Sequence, residues 1–208
     1  MFKRKCKITF IKHGTTINTE ERRFFDDERF PAINETGRIE MENISEWIAS
    51  SGIKTDKIYT SPALRCVQST RILSDIYNQD FEILYNFTSR KKGIFNGLSV
   101  EEIMQKFPNK IEQFYQDAEN YTPENAEPLI EFNKRINNII QNIIKNNIHK
   151  RLIIITHGEI IQSAIANAIG IPLNNQFKIY IPAGSATQIS YFEDFSSLIY
   201  SGYIPTLR

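Results

Sequence analysis

The sequence predicts an α/β protein, a three-layer α/β/α sandwich over a mostly parallel central sheet. Three observations predict it. Short apolar runs of strand length alternate along the chain with segments of helical period. The run Leu152-Ile153-Ile154-Ile155 is uninterrupted, which suits a strand covered on both faces. The length, 208 residues, fits one domain over 1–208 with a sizeable core.

In chain order, the first strand is expected over Cys6 to Lys12, with Ile8, Phe10 and Ile11 as its apolar members. Thr15 to Pro31 is polar and reads as a surface loop long enough to carry function. Asn34 is placed to cap a helix running to about Ser50, with Ile44, Trp47 and Ile48 as its buried stripe and Gly52 beyond its end. Lys57 to Thr60 is a short strand. Ser61-Pro62 then supplies a cap and a proline for the first helical position of a helix to about Tyr77. A third strand is expected at Phe81 to Leu84, and Asn86 to Gly97 is irregular.

Ser99 and Glu102 make a capping box opening a helix that Pro108 interrupts. Pro128 to Asn146 is Asn-rich, but Ile136, Ile139, Ile140, Ile143 and Ile144 recur at helical spacing. The strand Arg151 to Thr156 leads through Gly158 into an apolar helix ending near Ala168, before Gly170 and Pro172. Two last strands are expected at Phe177 to Ile181 and Ala186 to Phe192.

The formal net charge of +1 gives no reason to expect a nucleic-acid binder. The apolar stretch after the basic start is short, so the expectation is a cytoplasmic protein without a membrane partner. Cys6 and Cys66 belong to no CxxC pair and read as reduced structural thiols. Arg22-Arg23 and Arg90-Lys91-Lys92 read first as solvated loop charges; the alternative is a basic extension of the pocket toward a second acidic group on the substrate.

In open α/β sheets, ligands bind just beyond the carboxyl ends of the strands. The first strand delivers Lys12-His13-Gly14-Thr15-Thr16 to that edge, and the fourth delivers Thr156-His157-Gly158-Glu159. The second delivers Ser61-Pro62, with Arg65 shortly after. Two of the three histidines thus stand at strand ends, each followed by a glycine that lets the backbone approach a ligand. The third, His149, reads as a solvated side chain near a helix C-terminus.

Phe10-Ile11-Lys12-His13-Gly14-Thr15-Thr16 resembles the signature of the histidine phosphatase superfamily, the phosphoglycerate mutase-like group (branch 1). The resemblance continues through Ile33-Asn34-Glu35-Thr36-Gly37, Ser61-Pro62-Ala63-Leu64-Arg65 with Thr70 beyond, Gly93-Ile94-Phe95-Asn96-Gly97-Leu98-Ser99 and Thr156-His157-Gly158. It covers almost the whole chain. It implies a phosphoglycerate mutase-like fold and a phosphohistidine on His13, with Lys12, Arg65 and His157 around the phosphoryl oxygens. Gly14, Thr16, Asn18, Arg90 and Gly158 complete the implied substrate contacts, with no cofactor and no metal. A neutral imidazole is needed for attack, so the second nitrogen of His13 is expected to be held by a backbone carbonyl.

Three positions depart from the family pattern. Lys12 stands for the usual arginine, giving a point charge where the family has a planar fork. Ser89 stands where the family's glutamate protonates the leaving group. Glu159, or a carboxylate of the Glu20 to Glu28 loop, is the candidate surrogate acid. Thr15 replaces an acidic or amide residue, and the loop asparagine comes one place early, at Asn18.

The expected activity is that of a metal-independent phosphatase acting on a small phosphomonoester, best on esters with good leaving groups, as a monomer or homodimer. The alternative is a degenerate member that holds a phosphorylated ligand or partner with little or no turnover. A phosphoglycerate-type mutase is the third reading, disfavoured because the chain lacks the extra length typical of that branch.

Overall fold

The computed structural model of the protein describes residues 3–206. Its elements in chain order are β1 (Arg4–Lys12), α1 (Ile17–Glu20), α2 (Glu35–Ser50), β2 (Lys57–Thr60), α3 (Leu64–Tyr77), β3 (Phe81–Ile83), α4 (Val100–Lys106), α5 (Lys110–Gln116), α6 (Leu129–Asn146), β4 (Arg151–Thr156), α7 (Gly158–Ile169), β5 (Ala186–Phe192) and β6 (Ser196–Tyr203). The strands form one six-stranded sheet in the order β3-β2-β4-β1-β5-β6. The β3-β2, β2-β4 and β4-β1 pairs are parallel, while β5 and β6 add an antiparallel edge.

The uninterrupted run in β4 is explained by its two faces. Ile153 and Ile155 pack with Met41, Ile44 and Ile48 of α2 and Leu73 of α3. Leu152 and Ile154 pack on the other side with Phe132, Ile136 and Ile140 of α6 and Ile161 and Ile165 of α7. Alternate residues of one strand therefore serve two cores, and neither face tolerates a polar side chain. The same two-sided burial makes this the three-layer sandwich the sequence predicts.

Local signals work where their chemistry is self-contained. Ser99 and Glu102 form the full capping box of α4, and Asn34 accepts a hydrogen bond from the Gly37 N–H at the start of α2. They fail where a tertiary partner competes. Ser61 does not cap α3; the cap position is Ala63, and Ser61 Oγ pairs with Thr156 Oγ1 at 2.8 Å across the strand ends.

The expected strand Phe177 to Ile181 is not a strand. Leu173–Lys178 is a 3₁₀ helix. Beyond it, the Ile179 carbonyl accepts from Gln162 Nε2 and the Ile181 carbonyl from Lys12 Nζ, so side chains take the place of a ladder. The last strand, β6, has no counterpart in the sequence reading. It is an edge strand whose polar and glycine residues leave it half exposed, so its apolar alternation is weak. His149 sits in the turn after α6, exposed, and donates from Nδ1 to the Arg4 carbonyl. Both cysteines are free and buried. Among the described residues no helix is long and apolar enough to cross a membrane.

Candidate active site

β1 and β4 lie side by side in register, with Lys12 opposite Thr156, so the residues that follow, His13 and His157, leave the sheet together. The His13 N–H donates to the Thr156 carbonyl at 3.0 Å, locking the two strand ends. Their imidazoles meet edge to face with ring centroids 5.5 Å apart. Arg65, from the first turn of α3, stands beside them as a fixed positive charge. Lys12, His13, Thr16, Asn18, Arg65, His157, Gly158 and Glu159 all line one open cavity of about 470 Å³. A larger groove between α2 and α3, about 630 Å³, is lined by residues such as Arg38, Glu42 and Arg71 and carries no histidine.

The hydrogen bonds fix the two imidazoles in opposite tautomers. His13 Nδ1 lies 2.8 Å from the Gly14 carbonyl. A carbonyl only accepts, so the proton is on Nδ1 and Nε2 carries a lone pair. His157 Nδ1 lies 3.3 Å from Arg65 Nη2. A guanidinium only donates, so His157 Nδ1 accepts and its proton is on Nε2. Burial, then the charge of Arg65, hold both rings well below the ordinary histidine range. Both are therefore neutral near pH 7, one presenting a lone pair and the other an N–H.

Arg65 is 4% exposed and also donates from Nη1 to the carbonyls of Asp27 and Phe30, at 2.8 and 3.1 Å. The Leu64 N–H donates to the Glu28 carbonyl. The long polar loop between α1 and α2 is thus tied to the start of α3. Its Phe25 ring lies beneath the Arg65 guanidinium, 5.8 Å from it.

The missing Cβ of Gly14, read in the sequence as room for a ligand, is required by packing against α2. Gly14 is buried and absent from the cavity wall, and a Cβ there would stand 2.3 Å from the Gly37 carbonyl oxygen of α2. The two glycines meet back to back, which seats the His13 turn on the N-terminus of α2. Gly158 lies along the Lys12 side chain, whose Nζ donates to the Ile181 carbonyl at 2.9 Å.

The resemblance implies Arg90 as a substrate contact. Its side chain is buried and lies outside the cavity wall. It donates from Nη1 to the Glu127 carbonyl, covers the Phe114 ring and stands 3.7 Å from Glu159. Lys92, read in the sequence as a solvated charge, is buried, lines the cavity and pairs with Glu159. Only Lys91 of that run is exposed. Burial pulls the Lys92 ammonium down to about 8, with Glu159 opposing. Burial pushes the Glu159 carboxyl up, but Lys92 and Arg90 outweigh it and the net shift is downward. Glu159 is therefore an ionised partner of two cations, poorly suited to hold a proton for a leaving group. Nothing in the local sequence shows this cluster, because Lys92 and Glu159 come from distant segments. Among the described residues no group of three or more His, Cys, Asp or Glu side chains is placed to hold a metal ion.

A family model, histidine phosphatase superfamily (branch 1), matches residues 8–200. The chain belongs to the histidine phosphatase superfamily. Among curated superfamily relatives, a probable 2-carboxy-D-arabinitol-1-phosphatase of Arabidopsis thaliana is 22% identical over 79% of this chain and 34% of its own length. A 2,3-bisphosphoglycerate-dependent phosphoglycerate mutase of Bartonella henselae is 27% identical over 62% of this chain and 64% of its own. The chain thus spans about a third of the length of the first relative and under two thirds of the second. The solved structure of Bacillus stearothermophilus YhfR superposes with a TM-score of 0.87 at 21% identity, covering 96% of this chain and 98% of that one, and shows the same fold.

The depressed histidines carry a stability signature. The unfolded chain takes up these protons as pH falls through about 6.5, while the folded chain resists them until lower pH. The stabilisation is full above about pH 6.5 and is lost as pH falls below it, by up to about 1.4 kcal/mol per pH unit for each ring. Glu28, whose carboxyl burial shifts upward, works in the opposite sense, so the informative quantity is a difference. Thermal melts from about pH 5 to 8 are expected to show a shallower acid loss in His13→Ala than in the parent. Parallel profiles for the two proteins would contradict the assignment.

Proposed function

We propose that the protein is a phosphatase that hydrolyses a small phosphomonoester through a phosphohistidine on His13, with no cofactor or metal. The observation that carries this reading is the tautomer of His13. Its Nδ1 proton is committed to the Gly14 carbonyl, so Nε2 is the free nucleophilic nitrogen.

In the proposed reaction Nε2 of His13 forms a bond to phosphorus as the bond to the leaving oxygen breaks. Arg65, Lys12 and the Nε2–H of His157 donate to the three phosphoryl oxygens, where negative charge is spread in the transition state. Water then attacks phosphorus, releasing inorganic phosphate and restoring His13. The relative named a phosphatase supports water as the final acceptor. The relative named a mutase is the reason to measure free phosphate.

The test is hydrolysis of p-nitrophenyl phosphate in the presence of a chelator, followed as free phosphate. The parent is expected to turn over and His13→Ala to lose on the order of 10⁴-fold or more, as expected for a residue that forms the covalent bond. Turnover that survives in His13→Ala, or is abolished by the chelator, would count against the proposal. A parent that binds phosphate without His13-dependent turnover at any pH between about 5 and 8 would favour the ligand-holding reading.

A further inference from the structure

The superfamily resemblance calls for a proton donor at position 89, and this chain has a serine there. The structure places a carboxylate directly behind it. Glu28 Oε1 accepts from both the N–H and the Oγ–H of Ser89, each at 3.4 Å, and Ser89 lines the cavity that holds His13. Glu28 Oε2 is buried without a hydrogen-bond partner. The backbone of Glu28 is fixed to the start of α3 by the Leu64 N–H, and the carbonyls on either side of it, of Asp27 and Phe30, hold Arg65. The carboxyl therefore sits between two cavity residues on a loop that the site itself anchors.

We propose that Glu28 is the proton source for the leaving group and that Ser89 Oγ relays the proton. The proposal rests on the phosphatase reading above and adds the donor that reading lacks.

An ionised carboxylate with one buried, unpartnered oxygen is costly, and protonation removes most of that cost. Burial accordingly pushes the Glu28 carboxyl up, against the opposing charge of Arg65 and the hydrogen bonds of Ser89, with Asp26 pushing the same way as burial. Glu159 is biased the other way by Lys92 and Arg90.

The proton inventory balances. In the protonated acid the 3.4 Å contact runs the other way, with Glu28 Oε1–H donating to Ser89 Oγ and the Ser89 hydroxyl turned to the leaving oxygen. As the P–O bond breaks, the leaving oxygen takes the Ser89 hydroxyl proton, Ser89 Oγ takes the Glu28 proton, and Glu28 becomes a carboxylate. When water attacks the phosphohistidine, its proton returns through Ser89 Oγ to Glu28 as the P–N bond breaks. Ser89 is then a conductor and not an acid, as a serine hydroxyl, which does not titrate near neutral pH, has to be.

A relayed acid matters most where the leaving group is poor. Glu28→Gln is expected to lower kcat/KM for an alkyl ester, glycerol 2-phosphate, by about 10²–10⁴-fold. The loss on p-nitrophenyl phosphate should be much smaller, so the alkyl-to-aryl ratio falls by about tenfold or more. Ser89→Ala should move the ratio the same way, and Ser89→Glu in the Glu28→Gln background should recover about tenfold or more of the lost alkyl activity.

Equal losses on both esters in folded Glu28→Gln would assign Glu28 a structural role only and overturn the proposal. If Glu28→Gln does not fold, the ratio in Ser89→Ala decides in its place. A parent that hydrolyses only the aryl ester removes the Glu28 role while leaving His13 as nucleophile. A parent that hydrolyses neither ester removes both readings.

Discussion

Gly37→Ala is expected to be among the most destabilising single substitutions this protein can receive. Gly37 lies in the first turn of α2, where alanine is ordinarily the better helix former. Here, however, a Cβ would stand 2.2 Å from the Thr15 carbonyl oxygen and 2.5 Å from its nitrogen. Both are backbone atoms, so no rotamer change relieves the contact. The strand-end turn that holds His13 and the N-terminus of α2 must move apart.

That displacement would disturb the Asn34 cap, the Asn34 N–H bond to the Thr15 carbonyl and the Glu40 carboxylate that holds the Thr15 N–H. A loss above about 4 kcal/mol is expected, the range reserved for steric conflict in a packed interior. In a domain of this size that corresponds to a Tm lower by about 10 °C or more. Gly52→Ala is the control. It sits at φ +67° with nothing within 4 Å, so it pays only for an unfavourable backbone, about 1–2 kcal/mol. Differential scanning calorimetry of the two variants checks the contrast, and similar shifts in both would contradict it.

Arg65→Lys should cost more activity than its conserved charge suggests. One guanidinium nitrogen bridges the carbonyls of Asp27 and Phe30, and another donates to His157 Nδ1. A lysine ammonium has no fork with which to span those positions while still meeting a phosphoryl oxygen. Three consequences follow together. The phosphoryl group loses a planar donor, His157 loses the bond that sets its tautomer, and the loop carrying Phe25 and Glu28 loses its anchor. A fall in kcat/KM of about 10²–10³-fold is expected, the size seen when a preorganised transition-state donor is removed. Hydrogen exchange over residues 21–31 should rise in the same variant. A loss of less than about tenfold with unchanged exchange would show that the charge alone matters.

The fold was legible because its signals are local and redundant. The β4 run, the isoleucine periodicity of α6 and the Ser99–Glu102 box each state one structure without reference to a distant partner. The gathering of Lys12, His13, Arg65 and His157 was legible for a topological reason: adjacent parallel strands end at the same edge. What escaped depends on pairs far apart in the chain. Gly14 was read as making room for a ligand, but its missing Cβ makes room for Gly37. Arg90, an implied substrate contact, and Lys92, read as a loop charge, are drawn inward by Glu159 of α7 and the Glu127 carbonyl. The carboxylates of the Glu20 to Glu28 loop were candidate acids, but which of them meets Ser89 was not legible, because only the fold of that loop over α3 brings Glu28 there. The alternation in Phe177 to Ile181 matched a strand, yet its carbonyls are taken by Gln162 and Lys12.

The proposed reaction requires a covalent bond between phosphorus and His13 Nε2. The most direct measurement is rapid quench of the protein with a phosphate ester under alkaline denaturing conditions, which preserve a phosphoramidate, followed by peptide mass spectrometry. An added phosphoryl group is expected on the peptide containing His13 in the parent, and none on that peptide in His13→Ala. Turnover in the parent with no label on His13, or label on another residue that persists in His13→Ala, would contradict it.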